Sequence, residues 1–240
     1  MKLRSVMMVL GVAAALPAFA GDNVDVTLSG FKYNTSVKSA TIKNGSTTFG
    51  TFYAGEYQGT INGDAFSTFC TDVYQTLNFG SSIQYERMSV NETKALWGNP
   101  PNVETTYNPN SYGLVSKLFT TAYGSVNNST TSAAFQYALW ELLYEKTGNY
   151  TVGADGNFQL TNTDSGAQSQ ANAWLASVVS PSATEGYFVQ SLYNGPPNPD
   201  RTGRQDLVIA TPVPEPEVYA LALVSLGIVA GYARRRRVAS

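Results

Sequence analysis

Two apolar segments, one at each end, limit what this chain can fold into, because each carries the marks of export machinery rather than of a packed core. The first twenty residues, "MKLRSVMMVLGVAAALPAFA", set Lys2 and Arg4 ahead of an apolar run and end in the small-residue pattern Ala18-Phe19-Ala20. Charge, apolar run and cleavage site stand in the order of a cleavable secretory signal. At the other end a proline-rich stretch precedes an uncharged apolar segment, Val218 to Ala233, and the block Arg234, Arg235, Arg236 and Arg237 follows it. At about 1.5 Å rise per residue a helix over 218–233 covers much of the hydrocarbon core, and four arginines hold their end on the cytoplasmic side. The reading is a leader over 1–20, an extracellular domain over 21–211 and a sorting segment over 212–240 with a transmembrane helix at 218–233.

Val213-Pro214-Glu215-Pro216, then the apolar segment, then the arginine cluster resembles the PEP-CTERM sorting signal of Gram-negative bacteria. The resemblance implies that an exosortase, an integral-membrane cysteine protease, processes the signal after a transient stay in the inner membrane. The protein is then passed to the cell surface or the extracellular matrix, as in a biofilm. Three ordered elements carry the match, which covers about the last thirty residues. It gives an address and says nothing of the chemistry of the cargo.

The length between the ends suits one domain with a sizeable core. Fifteen tyrosines and eleven phenylalanines in the whole chain, with abundant Thr, Ser, Asn and Gly, fit an extracellular β-rich protein. Two of the 15 basic residues lie in the leader and four in the tail, and two of the 17 acidic ones, Glu215 and Glu217, lie in the sorting segment. The domain thus keeps nine basic against 15 acidic residues, about minus six, which argues against a nucleic-acid partner.

Histidine is absent, which removes Ser-His and Cys-His catalysis and the commonest zinc ligand. There is no Gly-rich phosphate loop, no CxxC pair, no calcium loop and no short internal repeat, so the sequence calls for no cofactor, no metal and no enzymatic constellation. Glu141 and Glu145 stand four apart, a spacing that suits a solvated helix face better than a glycosidase pair.

Strands come first and helices later. Residues 24–33 alternate apolar and polar side chains, short strands with Gly turns follow, and "INGD" at 61–64 is a turn signal that makes 65–70 a returning hairpin strand ending at Cys70. Leu114, Leu118 and Phe119 suggest a helix, "AAFQYALWELLYEKTG" at 133–148 is the strongest helical run, and 171–179 suggests another. "RQDLVIATPV" reads as a last strand. The order predicts a single β-rich α+β domain, a barrel or a sandwich, with a helical part that carries Gln136.

Cys70 is the only cysteine, so it has no disulfide partner within the chain, although export would favour one. Gln136 is a polar residue in the apolar run of the strongest helix and shares a face with Trp140. Taken alone, the first is a small buried thiol and the second a hydrogen-bonded core glutamine. Taken together, Phe69-Cys70-Thr71-Asp72 and Phe135-Gln136-Tyr137-Ala138-Leu139-Trp140 resemble the paired motifs of bacterial surface thioester domains, best known from Gram-positive adhesins. The resemblance implies a cross-link in which Cys70 supplies the sulfur and Gln136 the acyl carbon, with Phe69, Asp72 and Trp140 forming its environment. Thr71 departs from the pattern, which usually has an apolar residue after the cysteine.

A thiol set against a primary carboxamide displaces ammonia and leaves a γ-glutamyl thioester, which a target amine then opens to give an isopeptide bond and a free thiol. The implied function is an adhesin or matrix protein that couples covalently to an amine on an unidentified surface or matrix target. The alternative is a non-covalent exopolysaccharide- or matrix-binding module with an ordinary buried cysteine.

Overall fold

The computed structural model describes residues 21–33, 38–98, 107–146, 148–195 and 204–213. The leader over 1–20, Pro214, Glu215 and Pro216 of the sorting motif, the segment 218–233 and Arg234 to Arg237 lie outside the described residues. Among the described residues no helix is long and apolar enough to cross a membrane.

The fold is α+β. Strands β1 (Asp22–Phe31), β4 (Tyr57–Ile61), β5 (Asp64–Cys70), β9 (Leu207–Pro212), β8 (Tyr187–Tyr193) and β6 (Ser82–Arg87) close in that order into a six-stranded barrel. Its neighbouring strands are antiparallel throughout. A separate sheet has the order β3 (Thr47–Ala54), β2 (Lys38–Asn44), β7 (Phe158–Thr161). Helices α1 (Val90–Gly98), α2 (Ser111–Ala122), α3 (Ser129–Tyr144) and α4 (Ser165–Val178) complete it.

In β1 the expected alternation holds: Val24, Val26 and Leu28 are buried while Asn23, Asp25 and Ser29 face solvent. The "INGD" turn joins β4 to β5 with Asn62 and Gly63 at φ of 51° and 91°, the positive pair that a two-residue hairpin turn needs. Along β1 the register with β4 shifts between Leu28 and Gly30. Opposite that shift a Cβ on Gly59 would run into the Thr27 carbonyl oxygen and come within 2.9 Å of Leu28 Cα, so only glycine fits.

Helix α3 is the centre of the molecule. Its N-terminus is closed by a capping box in which Asn128 Oδ1 accepts from Thr130 N at 2.9 Å and Thr131 N at 3.0 Å, while Thr131 Oγ1 accepts from Asn128 N at 3.2 Å. The helix therefore begins four residues before the apolar run at 133, and it ends at Tyr144, ahead of Gly148. Every residue from Ser132 to Tyr144 is buried, because α2, α4 and the β3-β2-β7 sheet all pack on it. At about 1.5–3 kcal/mol for each large apolar side chain taken from water, Phe135, Leu139, Trp140, Leu142 and Leu143 make it the main source of cohesion.

That burial corrects the reading of Glu141 and Glu145 as a solvated face, since both are fully buried. The i, i+4 spacing is the same on an exposed and an enclosed helix, and here the helix is enclosed from Ser132 to Tyr144. Glu145 Oε2 accepts from Asn157 N at 2.8 Å and Phe158 N at 3.0 Å, which ties the end of α3 to the start of β7. Glu141 Oε1 accepts from Thr151 N at 3.0 Å, whereas its Oε2 has no partner among the described residues.

Candidate functional site around Cys70

Cys70 is the last residue of β5 and is fully buried. On one side it pairs with Leu207 of β9. On the other, β4 starts only at Tyr57, opposite Thr68, so no strand reaches the backbone of Cys70 there. The Gln136 carboxamide fills that place: its Oε1 accepts from Cys70 N at 3.0 Å and its Nε2 donates to Cys70 O at 2.8 Å. A side-chain amide thus continues the ladder that β4 leaves unfinished, and both of its polar atoms are satisfied in the core. Tyr144, two turns further along α3, donates from its hydroxyl to Thr71 O at 2.9 Å and accepts from Val73 N at 3.3 Å. Helix α3 therefore holds the chain on both sides of the cysteine.

The structure brings Cys70 and Gln136 together, but through the cysteine's backbone. The carboxamide at the sulfur is that of Gln205, whose Oε1 lies 2.8 Å from Cys70 Sγ. Gln205 is fixed from several directions. Its Nε2 donates to Asp72 O in a short bond, its N donates to Thr76 O at 3.3 Å, and its O accepts from Tyr85 OH at 3.2 Å. Next to it, Asp206 O accepts from Thr71 N at 2.9 Å, so 71–76 and 204–206 run side by side. The Asp206 carboxylate accepts from Asn194 N at 2.8 Å, and Asn194 Oδ1 accepts from Arg204 N at 3.1 Å.

The electrostatics keep the thiol neutral. Burial pushes Cys70 well above its ordinary range, the Tyr57 hydroxyl pulls back, and Asp72 and Asp206 push it further up. Burial, then Cys70, raise Tyr57 in turn. Burial lifts Asp72 to about 6 against the backbone N–H groups of Tyr74 and Gln75, and it lifts Asp206 well above the carboxylate range with Asp72 adding to the effect. The thiol donates to the Gln205 carbonyl oxygen in a fully buried site.

The other expected members are all close by. Phe69 packs with its ring centroid 4.5 Å from that of Phe135, the neighbour of Gln136, and lies 6.5 Å from Phe119, which closes the apolar wall behind the cysteine. Asp72 works through its backbone carbonyl on Gln205 and through a side-chain turn in which Oδ1 accepts from Tyr74 N at 2.6 Å. Trp140 is fully buried one turn beyond Gln136, with no partner for its Nε1 among the described residues. Val213 donates from its N to Gly186 O at 2.9 Å and ends the described chain just past β9.

Gln205 was not legible as a site residue. The available signal for Gln205 was faint: a Gln-Asp pair ahead of an apolar strand, on the run "QDLVI", which meets Cys-Thr-Asp across the sheet. Comparison with known protein families, with curated proteins and with solved structures gave no match.

Proposed function

We propose that this is an exported surface or matrix protein whose domain forms an internal thioester from Cys70 and couples through it to a target amine. The acyl donor in this proposal is Gln205. The observation that carries it is the 2.8 Å contact between Cys70 Sγ and Gln205 Oε1, which sets the acyl carbon one carbonyl bond, about 1.23 Å, beyond the oxygen facing the sulfur. Gln136, with its oxygen on Cys70 N and its nitrogen on Cys70 O, has the part of positioning the cysteine.

The chemistry follows from the site. Sγ attacks the Gln205 acyl carbon, the carbon–nitrogen bond breaks, and ammonia leaves with the thiol proton. The buried, aromatic surroundings keep water from the thioester. An amine of the target then attacks the same carbon and displaces the sulfur, leaving the target joined to Gln205 by an amide bond. For delivery, the leader and the PEP-CTERM-like segment support export, handling by an exosortase and display on the cell surface or in the matrix.

A labelled primary amine tests the reading. After incubation with dansylcadaverine, peptide mapping should find the label on Gln205, and Cys70→Ala or Gln205→Ala should abolish it. Label on Gln136 would return the acyl role to the helix, and no label on either would refute the covalent reading. A second reading has one observation in its favour: Tyr53 and Phe79 are 65% and 46% exposed and flank Phe31 at 6.4 and 6.1 Å, an aromatic cluster suited to stacking on sugars. That non-covalent module would keep its binding in Cys70→Ala.

A further inference from the structure

An open sheet ends at its outermost strands, and each end leaves a row of backbone N–H and C=O groups in need of partners. The barrel has no such ends, because its strands close on themselves. The sheet of order β3-β2-β7 has two. At β7 the preceding loop takes up part of the edge, where Leu160 N donates to Gly153 O at 2.9 Å. At β3, Gly50 to Ala54 pair with β2 alone, and no backbone bond reaches their outer side among the described residues. We infer that this edge pairs with β3 of a second copy of the chain, antiparallel about a two-fold axis, joining the two small sheets into one. The pairing uses neither Cys70 nor Gln205, so it stands apart from the thioester.

Edge strands are usually kept from such pairing by lysine, proline, short length or a bulge. Strand β3 is eight residues long, TTFGTFYA, with no charge and no proline. Its register with β2 shifts once, between Ile42 and Lys43, and then runs unbroken with Gly50 to Ala54 opposite Ile42 to Lys38. Tyr53, inside the unbroken part, is 65% exposed, which is more than any other large apolar side chain among the described residues.

A second copy is the partner that this edge fits. Laid antiparallel on itself over 50–54, the strand sets Phe52 opposite Phe52, Gly50 opposite Ala54 and Thr51 opposite Tyr53. Thr51 and Tyr53 are both exposed, and Thr51 meets Thr41 of β2 with the hydroxyls 3.2 Å apart. Each Thr51–Tyr53 contact across the axis joins a β-branched residue to an aromatic one, a favourable cross-strand combination, and it occurs twice. No like charges meet, because the strand carries none. The contact is isologous, and each copy brings the same edge to it, so assembly closes at two. A pairing of this size is small against the ~1,600 Å² of a standard interface, so the dimer forms in a concentration-dependent way.

The test is backbone amide exchange, read by mass spectrometry on the full chain in detergent over about a hundredfold range of protein concentration. The peptide over 47–54 should exchange several-fold more slowly at the concentrated end, with the barrel strands unchanged. Thr51→Lys with Tyr53→Lys sets lysine opposite lysine across the axis and should abolish that dependence. Thr51→Lys with Tyr53→Glu sets lysine opposite glutamate twice and should restore it. Exchange over 47–54 that ignores concentration would overturn the pairing, and so would a dependence that the double-lysine variant keeps. Slowing confined to another peptide would overturn it too, by placing the contact elsewhere. Should a variant fail to fold, the wild-type series decides by itself.

Discussion

Replacing Glu141 by glutamine should stabilise the domain, and by far more at pH 8 than at pH 5. Glu141 lies in the fully enclosed part of α3, with Oε1 on Thr151 N and Oε2 without a partner among the described residues. Burial raises its pKa from 4.5 to about 9, against the Thr151 N–H and with Glu145 adding to the rise. The sign follows from linkage. Below pH 4.5 the acid is protonated in both states and costs nothing. As pH rises the unfolded chain gains by ionising while the folded chain cannot, so stability falls continuously until the folded group titrates.

At about 1.4 kcal/mol per pKa unit, the loss is on the order of 1 kcal/mol at pH 5, 3 at pH 7 and 5 at pH 8. Glutamine mimics the protonated acid in shape and keeps the acceptor for Thr151 N, so it should recover most of that difference. Urea unfolding of the wild type and Glu141→Gln at pH 5 and pH 8 measures it directly. A gap between the two proteins that does not widen with pH, or a variant less stable than wild type at pH 8, would refute a buried neutral Glu141.

Other substitutions probe the frame of the site. Gln136→Ala leaves the N–H and C=O of Cys70 unpaired in the core, and at about 1–3 kcal/mol for each it should cost on the order of 2–5 kcal/mol in chemical denaturation. Gln205→Ala should cost less, since Gln205 takes no part in the ladder of β5. Gly59→Ala drives a methyl into the backbone of β1 and should lower Tm by several degrees, at about 2–4 °C per kcal/mol for a domain of this size. Asn128→Ala removes both side-chain bonds of the capping box and should lose about 1 kcal/mol.

The elements with strong local signals were readable in the sequence. The alternation of Val24, Val26 and Leu28, the Asn62-Gly63 turn and the apolar run of α3 each follow from a short-range rule. Barrel closure was not readable, because it depends on pairings such as β1 with β6 and β5 with β9, whose strands are far apart in the chain. Strand β7 is four residues long, too short to show a period. Charged residues misled in α3, where Glu141 and Glu145 suggested water on a helix that is enclosed on every side.

The site divided along the same line. Cys70 and Gln136 drew attention as unusual residues in apolar runs, and the structure sets them against each other. Which of their atoms meet could not be inferred from spacing. The decision rests on β4 starting at Tyr57, too late to cover Cys70, and on the segment leading into β9 delivering Gln205 from 135 residues away.

The most direct measurement is the intact mass of the purified chain before and after methylamine, with Cys70→Ala as reference. A thioester predicts a mass about 17 Da below that expected for the unmodified sequence, from lost ammonia, and a gain of about 31 Da on methylamine, with neither change in Cys70→Ala. Fragmentation should then assign the added methylamide to Gln205. An unshifted mass that ignores methylamine, with one freely titrating thiol after unfolding, would contradict the account and leave Cys70 as a buried cysteine.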